Sequence, residues 1–222
     1  MRMEWPTTIE DAVAVQEAFR AQVRIADEYG VIRTIAGVDV GFENEGATAR
    51  AAVVVLSYPA LRPLDYALAR GAARFPYVPG FLSFREAPVI LDALAMLKTP
   101  PDLVICDGQG IAHPRRLGIA SHLGVLSGLP TIGCAKALLV GQHPTLPDER
   151  GARVPLTHRR EQVGWALRTR PGVKPVYVSP GHRVGLHSSA EIVMACITRY
   201  RLPETTRYAH NLASNGILPP IS

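Results

Sequence analysis

Apolar side chains recur every four positions through residues 7–27, near the beginning of the chain. This spacing places them on one face of an α-helix. Thr7 and Glu10 have the spacing of a capping box, in which each side chain accepts a hydrogen bond from a backbone N–H at the start of the helix. The pattern therefore predicts an amphipathic helix here.

Three strand-like stretches follow, and short segments rich in turn residues join them. They cover residues 34–42, 50–58 and 64–75, in which valine, alanine and leucine are frequent. Consecutive strands that are connected by short turns pair with each other in antiparallel fashion. These stretches predict a three-stranded antiparallel meander.

The next part of the chain alternates between helical and strand-like patterns. Residues 85–98 predict a helix, and residues 101–107 and 130–139 predict short buried strands. Between those strands, a glycine-rich loop leads into another helix. Strands that alternate with helices pair in parallel and are covered on both faces of the sheet.

Beyond this point the pattern is less regular. Residues 141–162 are polar and rich in Pro, Arg and His, and they predict a mobile excursion. The segments QVGWALRT and KPVYVSPG predict a late hairpin, and Ser188 and Glu191 have capping-box spacing at the start of a final helix. Together the elements predict an α/β chain with one domain over residues 1–222. Its expected fold is a ribonuclease H-like mixed sheet, in which an antiparallel meander is followed by parallel strands flanked by helices.

Composition indicates a folded chain in a reducing compartment. Hydrophobic residues form 47% of the 222 residues and charged residues 19%, which excludes a disordered chain. The three cysteines lie in apolar runs, so we expect reduced, buried thiols at Cys106, Cys134 and Cys196. The first residues include acids that do not suit a signal peptide, and the apolar runs are shorter than a membrane span. We therefore expect a soluble cytoplasmic protein.

The chain carries a moderate excess of positive charge. A formal net charge of +5 and a pI near 9.4 suit a polyanionic partner, because Lys and Arg neutralise phosphates and release counterions. Basic enzymes with other substrates have a similar charge. The charge is consistent with nucleic acid but does not identify it.

Three carboxylates are the strongest candidates for chemistry. Asp39 interrupts an apolar strand, Asp107 ends another, and Glu86 lies at the start of a predicted helix. Each alone has an ordinary explanation, such as a hydrogen-bonded strand end or a favourable interaction with the helix dipole. Together they form an oxygen-rich set that suits Mg²⁺ or Mn²⁺. Such ions catalyse phosphodiester hydrolysis by activating water and by binding the attacking and leaving oxygens.

Basic side chains near these acids are further candidates. Lys136 lies near the end of the next predicted strand, where it could bind a phosphate or could simply be exposed. His113 lies in the glycine-rich loop after Asp107, and His210 lies near the C-terminus. A single histidine is more often a surface or hydrogen-bonded residue than a catalyst. The sequence contains no HExxH motif, so a zinc hydrolase gains no support.

The segment FPYVPGFLSF between the meander and the next helix is stiff and apolar, because prolines flank its aromatic residues. One interpretation is burial of these side chains against the core. The alternative is a wedge that enters a nucleic-acid duplex, since apolar and aromatic side chains can unstack base steps. An enzyme that reads a base edge needs that base outside the stack.

Several of these segments resemble the endonuclease V family, the deoxyinosine 3′-endonucleases, from about Thr34 to His210. The resemblance is carried by IAGVDVGF, PYVPGFLSFRE, DLVICDGQGIAHPRRLGIASHLGVL, IGCAKALL and RLPETTRYAH. It implies a ribonuclease H-like fold and catalysis with Mg²⁺, for which Mn²⁺ can substitute. It also implies hydrolysis of the second phosphodiester bond on the 3′ side of a deaminated purine, which leaves 3′-hydroxyl and 5′-phosphate ends.

The resemblance also implies roles for individual residues. Asp39 and Asp107 match the family's metal-binding aspartates, and Glu86 matches its third catalytic acid. Lys136 and His113 match two further active-site residues, and His210 matches a metal-proximal position.

A second set of matched residues concerns recognition of the lesion. Tyr77 matches a wedge tyrosine within the family's Pro-Tyr-x-Pro motif, in which many members carry Ile at the position of Val78. The motif is formed here by Pro76, Tyr77, Val78 and Pro79. The pocket for the flipped hypoxanthine, which binds largely through main-chain groups, is matched by Gly80, Leu82 and Gly108. Glycine suits such a pocket because its backbone can approach a base closely.

Under this interpretation, the substrate is DNA that contains deoxyinosine. We expect the protein to act as a monomer. Two alternatives stay open from the sequence: an inosine-specific endoribonuclease, and a binder of deaminated nucleic acid without catalysis. The basic segment 141–162 matches none of the family's motifs, and could contact a DNA backbone or be a solvated insertion.

Overall fold

A computed structural model describes residues 5–218, 220 and 221 of the chain. Its eight strands are β1 (Thr34–Glu43), β2 (Thr48–Ser57), β3 (Pro63–Ala72), β4 (Leu103–Cys106), β5 (Thr131–Ala135), β6 (Arg153–His158), β7 (Glu161–Leu167) and β8 (Val176–His182). Its five α-helices are α1 (Ile9–Arg20), α2 (Leu82–Ala95), α3 (Ile119–Ser127), α4 (Leu186–Ala195) and α5 (Glu204–Asn215). All eight strands form one sheet in the order β3-β2-β1-β4-β5-β8-β7-β6.

The predicted meander is confirmed. β1 pairs antiparallel with β2, and β2 pairs antiparallel with β3. The prediction succeeds because these strands carry long runs of small and β-branched residues, which suit a pleated surface. β2 is buried along nearly its whole length, as expected for a strand that is covered on both faces of a sheet.

The predicted parallel pairing is also confirmed. β1 pairs in parallel with β4, and β4 pairs in parallel with β5. The late hairpin exists as β7 and β8, which pair antiparallel. The sheet is therefore mixed, and helices flank it, as the ribonuclease H-like prediction requires.

Two apolar layers hold the sheet between helices. On one face, Ile35 and Leu103 pack with Leu212 of α5. On the other face, Val38 packs with Ile90 of α2 and with α3. Asp39, within β1, and Asp107, directly after β4, thus belong to a sheet that is packed on both faces, which fixes their backbone positions.

The segment 141–162 is not the mobile excursion that its composition predicts. Its second half contains β6, which pairs antiparallel with β7 at the end of the sheet. Arg150 donates hydrogen bonds to the backbone carbonyls of Thr169, Ile197 and Thr198. The polar composition misleads because an edge strand needs few apolar side chains, and because this arginine bonds to the protein itself.

The helix boundaries differ from the predicted ones. α1 ends at Arg20, and its N-cap is Thr8, whose side chain accepts a hydrogen bond from the amide of Asp11. The predicted capping box at Ser188 is absent, because α4 already begins at Leu186 and the Ser188 hydroxyl bonds to a carboxylate elsewhere. α5 was not predicted at all.

The three cysteines are free and buried, as expected. Within the part of the chain that the structure describes, no helix has both the length and the apolar character that crossing a membrane requires.

Candidate active site

The two predicted aspartates meet at one edge of the sheet. Val38 on β1 pairs with Cys106 on β4, and the next residues along these parallel strands are Asp39 and Asp107. Parallel strands carry their carboxyl ends to the same edge, so the two side chains come from adjacent strands. This edge is where open α/β sheets hold their binding sites.

Each aspartate has a basic partner. The ammonium group of Lys136, just beyond β5, donates a hydrogen bond to the Asp107 carboxylate. Nδ1 of His210, on α5, lies 2.7 Å from a carboxylate oxygen of Asp39. Burial lowers the pKa of Lys136, but the hydrogen bond to Asp107 and the charges of Asp107 and Asp39 together outweigh burial and raise it. Three strands and the last helix thus converge on one polar cluster.

α5 reaches Asp39 because its backbone lies directly against β1. A Cβ atom on Gly37 would lie 2.0 Å from the carbonyl oxygen of Thr205, so only glycine permits this approach. The face of α5 that is buried there carries Thr205, Ala209 and Leu212. His210 is therefore placed beside Asp39 by the packing of the whole helix.

The acids of this cluster destabilise one another in their charged forms. Burial and the nearby charge of Asp107 raise the pKa of Asp39, although the bond to His210 opposes this effect. Burial, followed by the charges of Asp39 and Asp107, raises the pKa of Glu86 to about 8. Such an accumulation of negative charge favours the binding of a cation.

The donor set fits a hard divalent ion that is held by few protein ligands. Among the described residues, no group of three or more His, Cys, Asp or Glu side chains is close enough to hold a metal ion by itself. Asp39 and Asp107 nevertheless offer carboxylate oxygens at the same sheet edge. Mg²⁺ is commonly bound by one or two carboxylates, with water and substrate phosphates completing its shell.

A cavity of about 280 Å³ opens beside Asp107 and Lys136. This volume lies just below the usual range for ligand pockets, roughly 300–1,000 Å³. It suits a compact ligand such as a single base. The predicted pocket residues Gly80, Leu82 and Gly108 all line it. A larger surface cavity of about 570 Å³ lies beside α5, but neither Asp39 nor Asp107 lines it.

The predicted wedge loop forms one wall of the cavity. Tyr77 is 75% exposed, whereas Phe75, Phe81 and Phe84 are buried in a common aromatic cluster below it. Burial against the core thus applies to the three phenylalanines, whereas Tyr77 is the residue for which the wedge prediction stays open. Its exposed tip consists of Pro76, Tyr77 and Pro79, whereas Val78 packs partly against the buried cluster.

His113 lies at the base of this loop. Its Nδ1 accepts a hydrogen bond from the amide of Arg115, so the ring proton resides on Nε2, which donates to the Gly80 carbonyl at 3.0 Å. Burial lowers the pKa of His113 to about 4, so the imidazole is neutral near pH 7. Both ring nitrogens are already bonded, which favours a structural contribution to the pocket.

Comparison with known proteins identifies the family. The sequence model of endonuclease V matches residues 17–211. The chain belongs to the endonuclease V family. The endonuclease V of Roseiflexus castenholzii is 63% identical over 215 residues, which cover 97% of this chain and 96% of that protein. The chain is therefore a nuclease, and nucleic acid is its substrate.

Solved structures of endonuclease V share the fold. The protein from Streptomyces avermitilis superimposes with a TM-score of 0.91 at 45% identity, covering 97% of this chain and 96% of that one. Endonuclease V of Ciona intestinalis, in complex with a DNA that contains an inosine followed by a ribo-adenosine, superimposes with a TM-score of 0.83 at 28% identity. That comparison covers 94% of this chain and 96% of the Ciona chain.

The structure adds site residues that the sequence did not single out. Ser83, Gln109 and Leu138 line the cavity, and Gln16 of α1 bonds to the Gly80 carbonyl. Gln16 has a detectable signal, since it interrupts the buried face of α1 one turn after Ala12. Leu138 has none, because an exposed leucine after a strand is common in any protein.

Proposed function

We propose that the protein is a DNA-repair endonuclease that recognises hypoxanthine in deoxyinosine and hydrolyses the second phosphodiester bond on its 3′ side. The products carry 3′-hydroxyl and 5′-phosphate ends. One observation carries this proposal: a base-sized cavity opens directly beside Asp107, and the exposed ring of Tyr77 stands at its rim. A flipped base in the cavity would bring its own strand to the carboxylates.

In this proposal Asp39 and Asp107 hold Mg²⁺. When bound, the ion would supply an activated water and neutralise charge on the scissile phosphate. Glu86 lies close enough to both aspartates for their charges to raise its pKa, so it would be the third acid of the site. Mn²⁺ has the same preference for oxygen ligands and could substitute.

The basic residues would bind the phosphate, orient one of the acids and hold the shape of the base pocket. Lys136 would stay charged, because its bond to Asp107 raises its pKa, and its ammonium group could donate to a phosphate oxygen. His210 would orient Asp39 through the hydrogen bond between them. His113 would hold the Gly80 carbonyl and thereby the shape of the base pocket.

Recognition would combine an opened stack with main-chain hydrogen bonds. Tyr77 would enter the duplex at the lesion, stiffened by Pro76 and Pro79, because a rigid loop loses less entropy on binding. Gly80, Leu82 and Gly108 would present backbone groups to the base. The Ciona relative supports this substrate, since it was captured on DNA that contains inosine.

The same complex favours a second candidate, an inosine-specific endoribonuclease. The DNA on that relative carries a ribo-adenosine directly after the inosine, so a ribonucleotide is accommodated there. Matched strands with a single deoxyinosine or a single riboinosine would separate the two candidates by their relative rates of cleavage.

The central test is a nicking assay on a duplex with one deoxyinosine, in Mg²⁺ and in chelator. We expect cleavage of the wild type only with Mg²⁺, and a loss of at least about 10³-fold for Asp39→Asn or Asp107→Asn. Asp92→Asn changes an exposed carboxylate on α2 and serves as the matched control. Wild-type activity in either site variant would overturn the assignment of the metal ligands.

A further inference from the structure

The carbonyl oxygen of Gly80 accepts hydrogen bonds from an unusual number of side chains. Nε2 of Gln16 donates to it at 2.8 Å, Nε2 of His113 at 3.0 Å, and the guanidinium of Arg115 at 3.4 Å. A carbonyl has two lone pairs, so these donors compete for it and restrict its direction from several sides. These hydrogen bonds fix the backbone of Gly80, which lines the cavity.

Gln16 joins two of these groups. Its side-chain oxygen accepts a hydrogen bond from Nε of Arg115, while its nitrogen donates to Gly80. It is fully buried and lies one turn after Ala12 on the buried face of α1. An apolar residue of similar size would be buried there without the loss of hydration that an amide suffers. The polar side chain is explained by its two bonds.

The direction of the Gly80 carbonyl controls the wedge loop. Gly80 has a φ of 84°, a conformation that side chains other than glycine rarely adopt. Its carbonyl and the amide of Phe81 belong to one planar peptide group. That amide donates to the carbonyl of Val78 at 3.0 Å and so closes the Val78–Phe81 turn, which directly follows Tyr77. Fixing the carbonyl therefore fixes the turn.

We propose that Gln16 is a positioning residue for lesion recognition, which makes the N-terminal helix part of the recognition apparatus. Through the Gly80 peptide it sets the position of Tyr77 and the shape of the base pocket. Gln16 does not touch the base or the phosphate itself. The inference rests on the proposed function, because it assumes that the loop opens a duplex at inosine.

Two substitutions separate the bonds of Gln16. Gln16→Met keeps the volume and removes both bonds. Gln16→Glu keeps an acceptor for Arg115 but places a carboxylate oxygen against the Gly80 carbonyl, so it removes the donor. Gln22→Met, just beyond the end of α1 on an exposed position, is the matched control.

The experiment compares affinity for an inosine duplex with affinity for the same duplex without inosine, by anisotropy in chelator. This ratio does not depend on the active fraction of a preparation. We expect both Gln16 variants to lose roughly fivefold or more of the ratio, as the loss of a buried hydrogen bond implies. In Mg²⁺ the effect should appear in KM, with kcat within about twofold of the wild type. Amide hydrogen exchange in residues 76–81 should accelerate in both variants but not in Gln22→Met.

The outcomes are distinct. A ratio that stays at the wild-type value in either Gln16 variant would overturn the inference and leave the proposed function intact. Unchanged hydrogen exchange in residues 76–81 would also overturn it. A wild type without preference for inosine would overturn the proposed function, and the inference with it.

Discussion

Replacing Glu86 by glutamine should stabilise the metal-free protein while it abolishes cleavage. Burial, followed by the charges of Asp39 and Asp107, raises the pKa of Glu86 from 4.5 to about 8. In the unfolded chain this carboxyl group keeps its ordinary pKa. The folded protein therefore favours the protonated form, and the wild type loses stability as the pH rises from 4.5 towards 8.

The size of this change in the free energy of unfolding follows from the difference between the folded and unfolded pKa values. Each unit is worth about 1.4 kcal/mol. At pH 7 the wild type would therefore lose at most about 3 kcal/mol of its free energy of unfolding. Glu86 keeps part of its surface in contact with solvent, and water reduces the effect. We accordingly expect Glu86→Gln, which has the same shape and no charge, to be more stable by about 1–3 kcal/mol.

Urea unfolding in chelator at roughly pH 5, 7 and 8 would measure this difference. The advantage of Glu86→Gln should be small at the lowest pH and should grow as the pH rises. Asp92→Asn, on the same helix but exposed, should show no such growth. Excess Mg²⁺ should reduce the advantage, because an ion bound to the wild type stabilises its carboxylates. A difference that is constant with pH would refute the reasoning.

Two further predictions concern the wedge and a buried histidine. Tyr77→Ala should weaken binding to an inosine duplex by roughly tenfold, as the loss of a stacking side chain implies. Its melting temperature should stay unchanged, because Tyr77 is 75% exposed. An affinity equal to that of the wild type would count against the wedge. Burial lowers the pKa of His122, which is bonded to Ser83, to about 4. The folded protein thus disfavours the charged ring and should lose stability as the pH falls from 6.5 towards 4. His122→Gln should remove about 2 kcal/mol of that loss in urea unfolding near pH 4.5, and an unaltered acid profile would contradict the assignment.

The sheet and its acids could be predicted because both leave a local signal. β1 and β4 are apolar runs, so Asp39 and Asp107 stand out as acids that need a partner. Their approach follows from the parallel pairing of neighbouring strands. The placement of the two aspartates at one end of the sheet could therefore be predicted from the sequence. The contacts of each acid with Lys136 and His210 could not, because they depend on how distant elements pack.

α5 could not be recognised by the same reasoning. Its buried face includes Thr205 and Thr206, which count as polar in a sequence pattern although both are buried. Their burial is possible because Gly37 on β1 admits the helix backbone at close range. That complementarity joins two distant parts of the chain, and no local pattern reports it. Gln16 does interrupt the apolar face of α1, but its contribution could not be inferred from that signal, because its partners Gly80 and Arg115 lie far away along the chain.

The packing of α5 on β1 also has a consequence for the order in which the site forms during synthesis. Asp39 and His210 are 171 positions apart, so the ribosome releases the strand long before the helix that covers it. Chains fold from the N-terminus as they emerge. Until α5 has left the exit tunnel, Asp39 has no histidine beside it and β1 has no cover on that face. The emergence of α5 is thus the step that completes the Asp39–His210 pair.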